Sequence, residues 1–599
     1  MRFTFGKALL FLTFTYCGPL QPAMALDVVN FSVAGADDEL EDELKSASLV
    51  LSSEGDAEKD SRDVFAAALA EYGQLVQTLY ANGYYGGVVR VRVDGREAAQ
   101  IPPFDVPGSI RRIDISVNPG PQFRFGTAKA APLAPNTEMP DEFRTGEIAR
   151  SVTVQQAVDV AVLGWREAGY AKVDLAGQTI TANHANAQLS ASLAFAPGPK
   201  VRFGKLRQNT ESAVRTDRIA RIAGFPEGRV FSPDDLETVA KRLRRTGAFS
   251  SVTLTEADTL GPGNTMDIGL ALVDEAPRRF GFGAELGSIE GLQLTAFWLH
   301  RNMFGGAERF RVDGEVAGIG SQHGGIDYYL DARLDQPATF GPDTHAFVFG
   351  SLAYEDEPGY ISRSAGLGGG VKRIFSDTLE GELGAALLYS ETTDVLGDRR
   401  FFLFALPASL TWDRRNDKLD TTRGTYLKAE AIPFVSVDTG GTGAWLYGDG
   451  RAYRGFGAED RFVLAGRVQV GSVFAGNSND IPPDYLFYSG GGGTVRGQPY
   501  KSLGLDAGGG EITGGQSFAV LSAELRAQIT DKIGVVGFVD AGHVAGGSLF
   551  DGDGNWHTGG GIGVRYKTPI GPLRLDVAGP ISGDTGDGVQ VYIGIGQAF

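Results

Sequence analysis

A single cysteine among 599 residues denies this chain a disulfide framework and a thiolate metal site. Its six histidines show no metal-ligand spacing, and neither the G-x-S-x-G elbow of a hydrolase nor the H-E-x-x-H of a zinc protease occurs. Asp551, Asp553 and Asn555 imitate the start of an EF-hand loop, but Trp556 and Ile562 stand where its Gly and Glu belong. No enzyme activity and no cofactor are therefore expected. Basic clusters are also missing: 55 Lys and Arg against 73 Asp and Glu leave a net charge of −18, which argues against nucleic acid as a partner. After the N-terminus, no stretch approaches the ~18 consecutive apolar residues that a spanning helix needs.

What the N-terminus does hold is Arg2 and Lys7, an apolar stretch over Ala8–Tyr16, and Ala23-Met24-Ala25. This is the pattern of a signal peptide over residues 1–25, with a mature chain from Leu26. Cys17 lies inside that leader, after Tyr16 where a lipoprotein signal needs a small residue, so the mature chain is expected to be free of thiols. An exported chain without an apolar helix either stays soluble or crosses a membrane as a closed barrel, which pairs all its backbone polar groups.

Glycine is distributed unevenly. Of 85 glycines, 61 fall in Gly281–Phe599 and 24 before it, which marks a boundary near residue 278. Upstream of it the sequence repeats. Pro119-Gly120-Pro121-Gln122-Phe123-Arg124-Phe125-Gly126 recurs 78 residues later as Pro197-Gly198-Pro199-Lys200-Val201-Arg202-Phe203-Gly204, and Gly169 and Gly247 keep the same spacing. In the first unit Phe65, Leu69, Tyr72, Val76 and Leu79 share one helix face, Asn82-Gly83 stops the helix, and Val89, Val91 and Val93 alternate with polar residues as a strand. The second unit repeats this with Val154, Val158, Val162 and Trp165, the third with Leu236, Val239 and Leu243. The expected boundaries are 26–117, 118–196 and 197–275. The acidic stretch Asp37–Glu43 reads as a solvated helix start more readily than as a partner face.

From residue 276 to 599 long alternating segments are separated by turns. Phe280, Phe282, Ala284 and Leu286 alternate with glycines and Glu285, and Leu573, Leu575 and Val577 alternate with Arg574, Asp576 and Ala578. Charge on one face and apolar side chains on the other is the sense of a membrane barrel with a polar interior. The length accommodates about 16 antiparallel strands, with short turns at one end and longer loops at the other.

Several motifs in this half stand at family positions. Val495-Arg496-Gly497 follows a run of glycines, and Phe538-Val539-Asp540-Ala541-Gly542 follows it. Further on, Gly561–Tyr566 leads into Thr568-Pro569-Ile570-Gly571-Pro572-Leu573-Arg574-Leu575-Asp576. Trp412–Asp417 with Thr422-Arg423-Gly424 forms another family turn, and the chain ends on an alternating segment closed by Phe599. These residues resemble the successive motifs of Omp85 barrels, and the three α+β units resemble the POTRA domains that precede such barrels. Within the superfamily, three units and a barrel of this size are most similar to the TamA type. One departure is Gln498, where the family has an aromatic residue. The resemblance implies a bacterial outer-membrane location with the POTRA units in the periplasm. It also implies assembly of nascent outer-membrane proteins such as autotransporters, and a partner resembling TamB, anchored in the inner membrane. The alternative is a two-partner-type secretion pore for an unfolded exoprotein.

Two sites follow. Alternation sets Val536, Phe538 and Asp540 toward the lumen, because a bare carboxylate facing lipid is costly. The glycine-rich loop is then expected to fold inward as a latch built on Val495, Arg496 and Gly497, with Arg496 meeting Asp540 beside Phe538 and with Glu524 as a second partner. At the closing seam the first strand contributes Phe280, Gly281 and Gly283 and the last contributes Gly594, Gly596 and Phe599. Poor inward packing at those glycines predicts a seam that opens laterally and offers an edge to a client strand.

Overall fold

The computed structural model describes residues 26, 28–54, 60–102, 105–322, 324–476, 480–508, 511–552, 554–569, 571–583, 585–586 and 588–599; the expected leader lies outside them. Two compact units divide the chain. One holds residues up to 203 with 228–234 and 262–265, and the other holds 204–227, 235–261 and 266–599.

In the first unit, Val28–Val33 pairs parallel with Arg112–Asn118, which pairs antiparallel with Val88–Val93. Helices Asp38–Ala47 and Ser61–Ala81 pack on that sheet through Leu44, Phe65, Leu75 and Leu79, all buried against Ile113 and Ile115. Asp37 accepts a hydrogen bond from the Leu40 amide at 2.9 Å, so the acidic stretch is a capped helix start. Asp60 and Asp63 form a capping box on the longer helix, which ends at Asn82 with Gly83 at φ +83°. Val91 and Val93 are buried while Arg90 and Arg92 are exposed, as the alternation requires. A second sheet joins Arg124–Ala131, Gln188–Ala196 and Asp174–Asn183. Helix Ser151–Glu167 covers it over a core of Phe123, Phe125, Val154, Leu189 and Leu193.

The other unit is dominated by a closed antiparallel barrel that runs from Arg278–Gly287 to Gln590–Ile595. Segments Gly397–Ala405 and Ala408–Asp413 both lie between Leu379–Asp394 and Gly424–Ser436. They are one strand interrupted at Pro407, which has no N–H to give, and the barrel has sixteen strands. Val535 and Val539 face outward and Val536, Phe538 and Asp540 inward. The outer surface carries Phe282, Leu367 and Ile562 at 68–85% exposure. The lumen carries charge pairs two residues apart on single strands: Arg311 with Asp313, Arg333 with Asp335, Arg451 with Asp449 and Arg526 with Glu524. This is an outer-membrane β-barrel.

Loop lengths differ from the expected division. At the end where longer loops are expected, connections such as Pro358-Gly359 and Val395-Leu396 are as short as two residues, and length is concentrated in the single connection 476–516. At the other end the turn 414–423 is long but laced to itself. Asn416 Oδ1 accepts from the Thr422 and Arg423 amides, and Asp417 Oδ1 from those of Leu419 and Asp420.

The third repeat forms the sheet of Arg202–Gln208, Thr265–Asp274 and Phe249–Glu256. Besides the expected helix Pro233–Arg245 it has a second one, Thr216–Ala223, ended by Gly224 at φ +53°. Its core does not stop at the barrel. Val214, Ile219, Ile222 and Leu243 form one buried cluster with Ala307 and Ala338 of the barrel turns. Around this contact Arg242 and Arg245 both bind Asp343, at 2.6 and 2.8 Å, and Lys241 binds Asp377 at 2.8 Å. Against partial burial, which opposes ionisation, the two guanidiniums hold the Asp343 carboxyl below the usual range.

A depressed carboxyl stabilises the fold above the unfolded pKa and loses that contribution as pH falls through the folded one. Asp343→Ala should therefore speed amide hydrogen exchange in helix Pro233–Arg245 about five-fold at neutral pH, discounted for partial exposure. Compared at equal pH, the difference between the two proteins should shrink as pH falls below the ordinary carboxyl range through the depressed Asp343 pKa. Identical exchange in the two proteins at neutral pH would show the clasp to be idle.

Candidate functional site: the lumenal loop and the seam

The long connection enters the lumen through Phe487, which stacks on Phe518 at 4.7 Å between ring centres and on Trp445 at 5.7 Å. Val495 is fully buried with Phe487, Leu503 and Val544. Arg496 then points at the wall. Its Nε donates to Asp540 Oδ2 at 2.8 Å and its Nη2 to Asp540 Oδ1 at 3.0 Å, while its own amide also donates to Oδ2 at 3.1 Å. Nη1 reaches Glu524 Oε1 at 2.7 Å and Asp576 Oδ2 at 3.4 Å, and the guanidinium lies 3.6 Å over the Phe538 ring. The planar fork suits this set, since a bidentate carboxylate, a second acid and an aromatic face are met at once.

Every group in this cluster is withdrawn from water: the Arg496 side chain is 3% exposed and the three carboxylates 0%. Two further guanidiniums balance it. Arg526 binds Glu524 at 2.8 Å and Arg565 binds Asp576, so three acids face three hydrogen-bonded arginines, while Arg574, committed to Glu285, stands 4.0 Å from Asp576. Buried charge is tolerated in such a closed, hydrogen-bonded set and not singly.

Glycines let the loop approach the wall. Gly497 sits at φ +90°, and a Cβ there would lie 2.5 Å from Gly579 O. A Cβ on Gly559 of the wall would strike Arg496 O. The Gly497 amide donates to Tyr592 Oη at 3.2 Å. Gln498 is fully buried and takes the aromatic position by hydrogen bonding. Its Nε2 donates to Thr558 O at 2.7 Å and Ser582 O at 3.0 Å, and its Oε1 accepts from Thr585 Oγ1 at 2.8 Å. Beyond it, Tyr500 Oη and Lys501 Nζ reach Glu357 at 2.9 and 2.8 Å.

At the seam the first and last strands pair only at Leu286 with Ile593 and Gly287 with Tyr592, whereas the first strand pairs with its other neighbour over ten positions. The edge from Arg278 to Glu285 therefore lacks a ladder on that side, and Phe280 and Phe282 stand exposed beside it. Gly281 is not an empty position, contrary to the expectation of poor packing: the Phe297 ring fills its inner side and carries Arg311 at 4.1 Å on its face. Glu285 binds Arg574 across the last strand, where Gly594 has no side chain to intervene. Ser288 N donates to Val591 O at 3.0 Å, and Glu290 Oε1 accepts from Gly492 N at 2.6 Å.

Phe599 does not lie on the seam. The last strand ends at Ile595, and Gly596 at φ +95° turns the chain inward. Phe599 is buried against Tyr453, and its carbonyl accepts from Arg526 Nη2 at 3.1 Å. Alternation cannot register that turn, because it depends on a left-handed glycine.

Residues 302–599 match the Omp85 superfamily domain. The barrel is an Omp85 superfamily domain. Outer envelope protein 80 of Arabidopsis thaliana, a chloroplastic protein, is 24% identical over 571 residues, covering 86% of this chain and 71% of that protein. BamA of Haemophilus ducreyi lacking POTRA domains 1–3 shares the fold with a TM-score of 0.62 and 17% identity, over 79% of this chain and 100% of that one. CdiB from Acinetobacter baumannii does so with a TM-score of 0.50 and 12% identity, over 80% and 90%. The BamA overlap exceeds the share of the barrel, so it takes in part of the preceding α/β region. Within this Omp85 barrel, the loop-contacting groups that sequence reasoning missed include Asp576, Tyr592, Glu290, Glu357, Arg467 and His557. Asp576 and Tyr592 were findable, because both lie on inward faces of alternating strands; His557, whose Nε2 is 2.8 Å from Ser489 Oγ, carries no such signal.

Arg496→Ala leaves three carboxylates around a missing cation and should cost about 3–5 kcal/mol. The cost should appear as a lower temperature at which the barrel loses its compact gel mobility. Arg496→Lys, which cannot chelate Asp540 and reach the other acids together, should recover only part. Unchanged mobility in Arg496→Ala would contradict this account of the loop.

Proposed function

We propose that this protein assembles and inserts other outer-membrane proteins, in the manner of the TamA type, by adding client strands at its seam. One observation carries the reading: two paired positions at the closing seam against ten at the next pair of strands. An edge strand with unpaired N–H and C=O groups is a template for another strand, and β-augmentation lends it affinity without sequence-specific chemistry. The membrane-facing Phe280 and Phe282 keep that edge in contact with the bilayer, where a client must end. Gly281, Gly283, Gly594 and Gly596 act in this reading as seam residues, and Val495, Arg496, Gly497, Phe538, Asp540 and Glu524 as the latch that seats the loop.

The clients are nascent barrels such as autotransporters, delivered from the periplasm past the POTRA-like modules, and the partner is a TamB-like protein anchored in the inner membrane. The work is non-enzymatic strand exchange. A secretion pore would instead pass its substrate through the lumen, which the loop crosses from the Asp540 wall to Glu357.

The mature chain expected from residue 26 has no cysteine, so Leu286→Cys with Ile593→Cys, at a paired position, makes a clean lock. Oxidation should abolish assembly of client barrels in cells, and reduction should restore it. Client assembly undiminished in the oxidised form would refute insertion at the seam, and export of a soluble substrate through the locked barrel would favour the pore.

A further inference from the structure

Two hydrogen-bonded routes run from the loop to the C-terminal tail through the buried cluster. On one, Arg496 Nη1 donates to Glu524 Oε1 at 2.7 Å, Arg526 Nε donates to Glu524 Oε2 at 2.8 Å, and Arg526 Nη2 donates to Phe599 O at 3.1 Å. On the other, Arg496 Nη1 donates to Asp576 Oδ2 at 3.4 Å, Arg565 holds the same carboxylate, and Arg565 Nε donates to Gln597 Oε1 at 2.8 Å. Each acid is thus shared between one arginine of the loop and one that grips the tail. The guanidinium of Arg526 also lies 5.6 Å over the Phe599 ring.

We infer that the lumenal loop and the C-terminal tail are the two ends of one charge relay, so that seating the loop holds the tail turned inward. With Arg496 in place, one oxygen of Glu524 and one of Asp576 are occupied, and Arg526 and Arg565 are left aimed at the tail. When Arg496 withdraws, Glu524 Oε1 loses its loop donor and Asp576 Oδ2 keeps Arg565 Nη2 at 3.3 Å, and the two remaining guanidiniums relax toward these carboxylates and away from Phe599 O and Gln597. The tail is then free to straighten. Continuing the register of Leu286 with Ile593 would set Gln597 opposite Phe282 and Phe599 opposite Phe280, covering the bare edge. Loop in and tail in leaves the edge open; loop out and tail out closes it. What this does to client strands rests on the insertion reading above, whereas the coupling between loop and tail does not.

Coupling is reciprocal, so it can be read from both ends with single thiols in the otherwise cysteine-free mature chain. Ser502 Oγ in the loop is buried without a hydrogen-bond partner, which makes Ser502→Cys a near-isosteric reporter, and Ala598→Cys reports on the tail. The full-length protein in its membrane is treated with a water-soluble maleimide. Deleting Gln597–Phe599 should raise labelling of the loop reporter about ten-fold, and Arg496→Lys should raise labelling of the tail reporter to a similar extent. Where the deletion impairs assembly of the barrel, Gln597→Ala serves in its place with a smaller rise. Loop labelling unchanged in a tail variant that still runs as a folded barrel would overturn the relay. Labelling that rises as expected while the locked seam still assembles clients would keep the relay and remove the insertion reading.

Discussion

The structure turns on one buried set of charges, three carboxylates and three guanidiniums in the lumen, with Arg496 the only member that comes from a loop. Removing a single ion from such a set costs several kcal/mol, because the partners left behind have no water to turn to. That penalty fixes the path of the long connection more firmly than its hydrophobic contacts do. Val495 and Phe487 bury apolar surface, but apolar burial is non-directional and would accept several placements. A bidentate carboxylate, a second acid at 2.7 Å and a ring at 3.6 Å accept one.

Two kinds of glycine serve this arrangement in opposite ways. On the wall, Gly559 and Gly579 lie where the loop backbone touches the barrel, so the absence of side chains brings two backbones into contact and tightens the structure. At the closing edge, Gly596 turns the last strand away after Ile595 and leaves the first strand short of partners. The clustering of 61 glycines in the barrel half is therefore not a uniform signal of curvature. Some of these residues make the lumen solid and one makes the seam incomplete.

Much of this was legible in the sequence, for reasons that can be named. A period of two, joined to the cost of a charge facing lipid, is enough to turn Asp540 and Glu524 inward and to pair them with the one cation of the glycine-rich loop. The same rule placed Phe599 on the seam and failed, because the period holds only while the backbone stays extended and Gly596 does not. The helix Thr216–Ala223 escaped as well. Its apolar face is short and is completed by Ala307 and Ala338, which are remote in sequence. Gln498 shows the limit of reading by resemblance: an aromatic position is held by an amide because two backbone carbonyls, Thr558 O and Ser582 O, happen to be within reach.

A closed barrel normally protects itself by having no edge, and this one gives up that protection along all but the last two residues of its first strand. The deficit is offset mainly by side chains, Glu285 to Arg574, Ser288 Oγ to the Val591 amide and Glu290 to the loop at Gly492, beside one further backbone bond from the Ser288 amide to Val591 O. Backbone ladders are cooperative and resist opening one bond at a time, whereas three separate side-chain ties can be exchanged in sequence, each for a bond of similar strength. A seam held this way keeps the edge of the first strand bare and yields to a strand that brings its own ladder. Of its ties, the one at Gly492 reaches the same loop that Arg496 anchors, so the turn beyond the first strand and the charged wall are held by one loop.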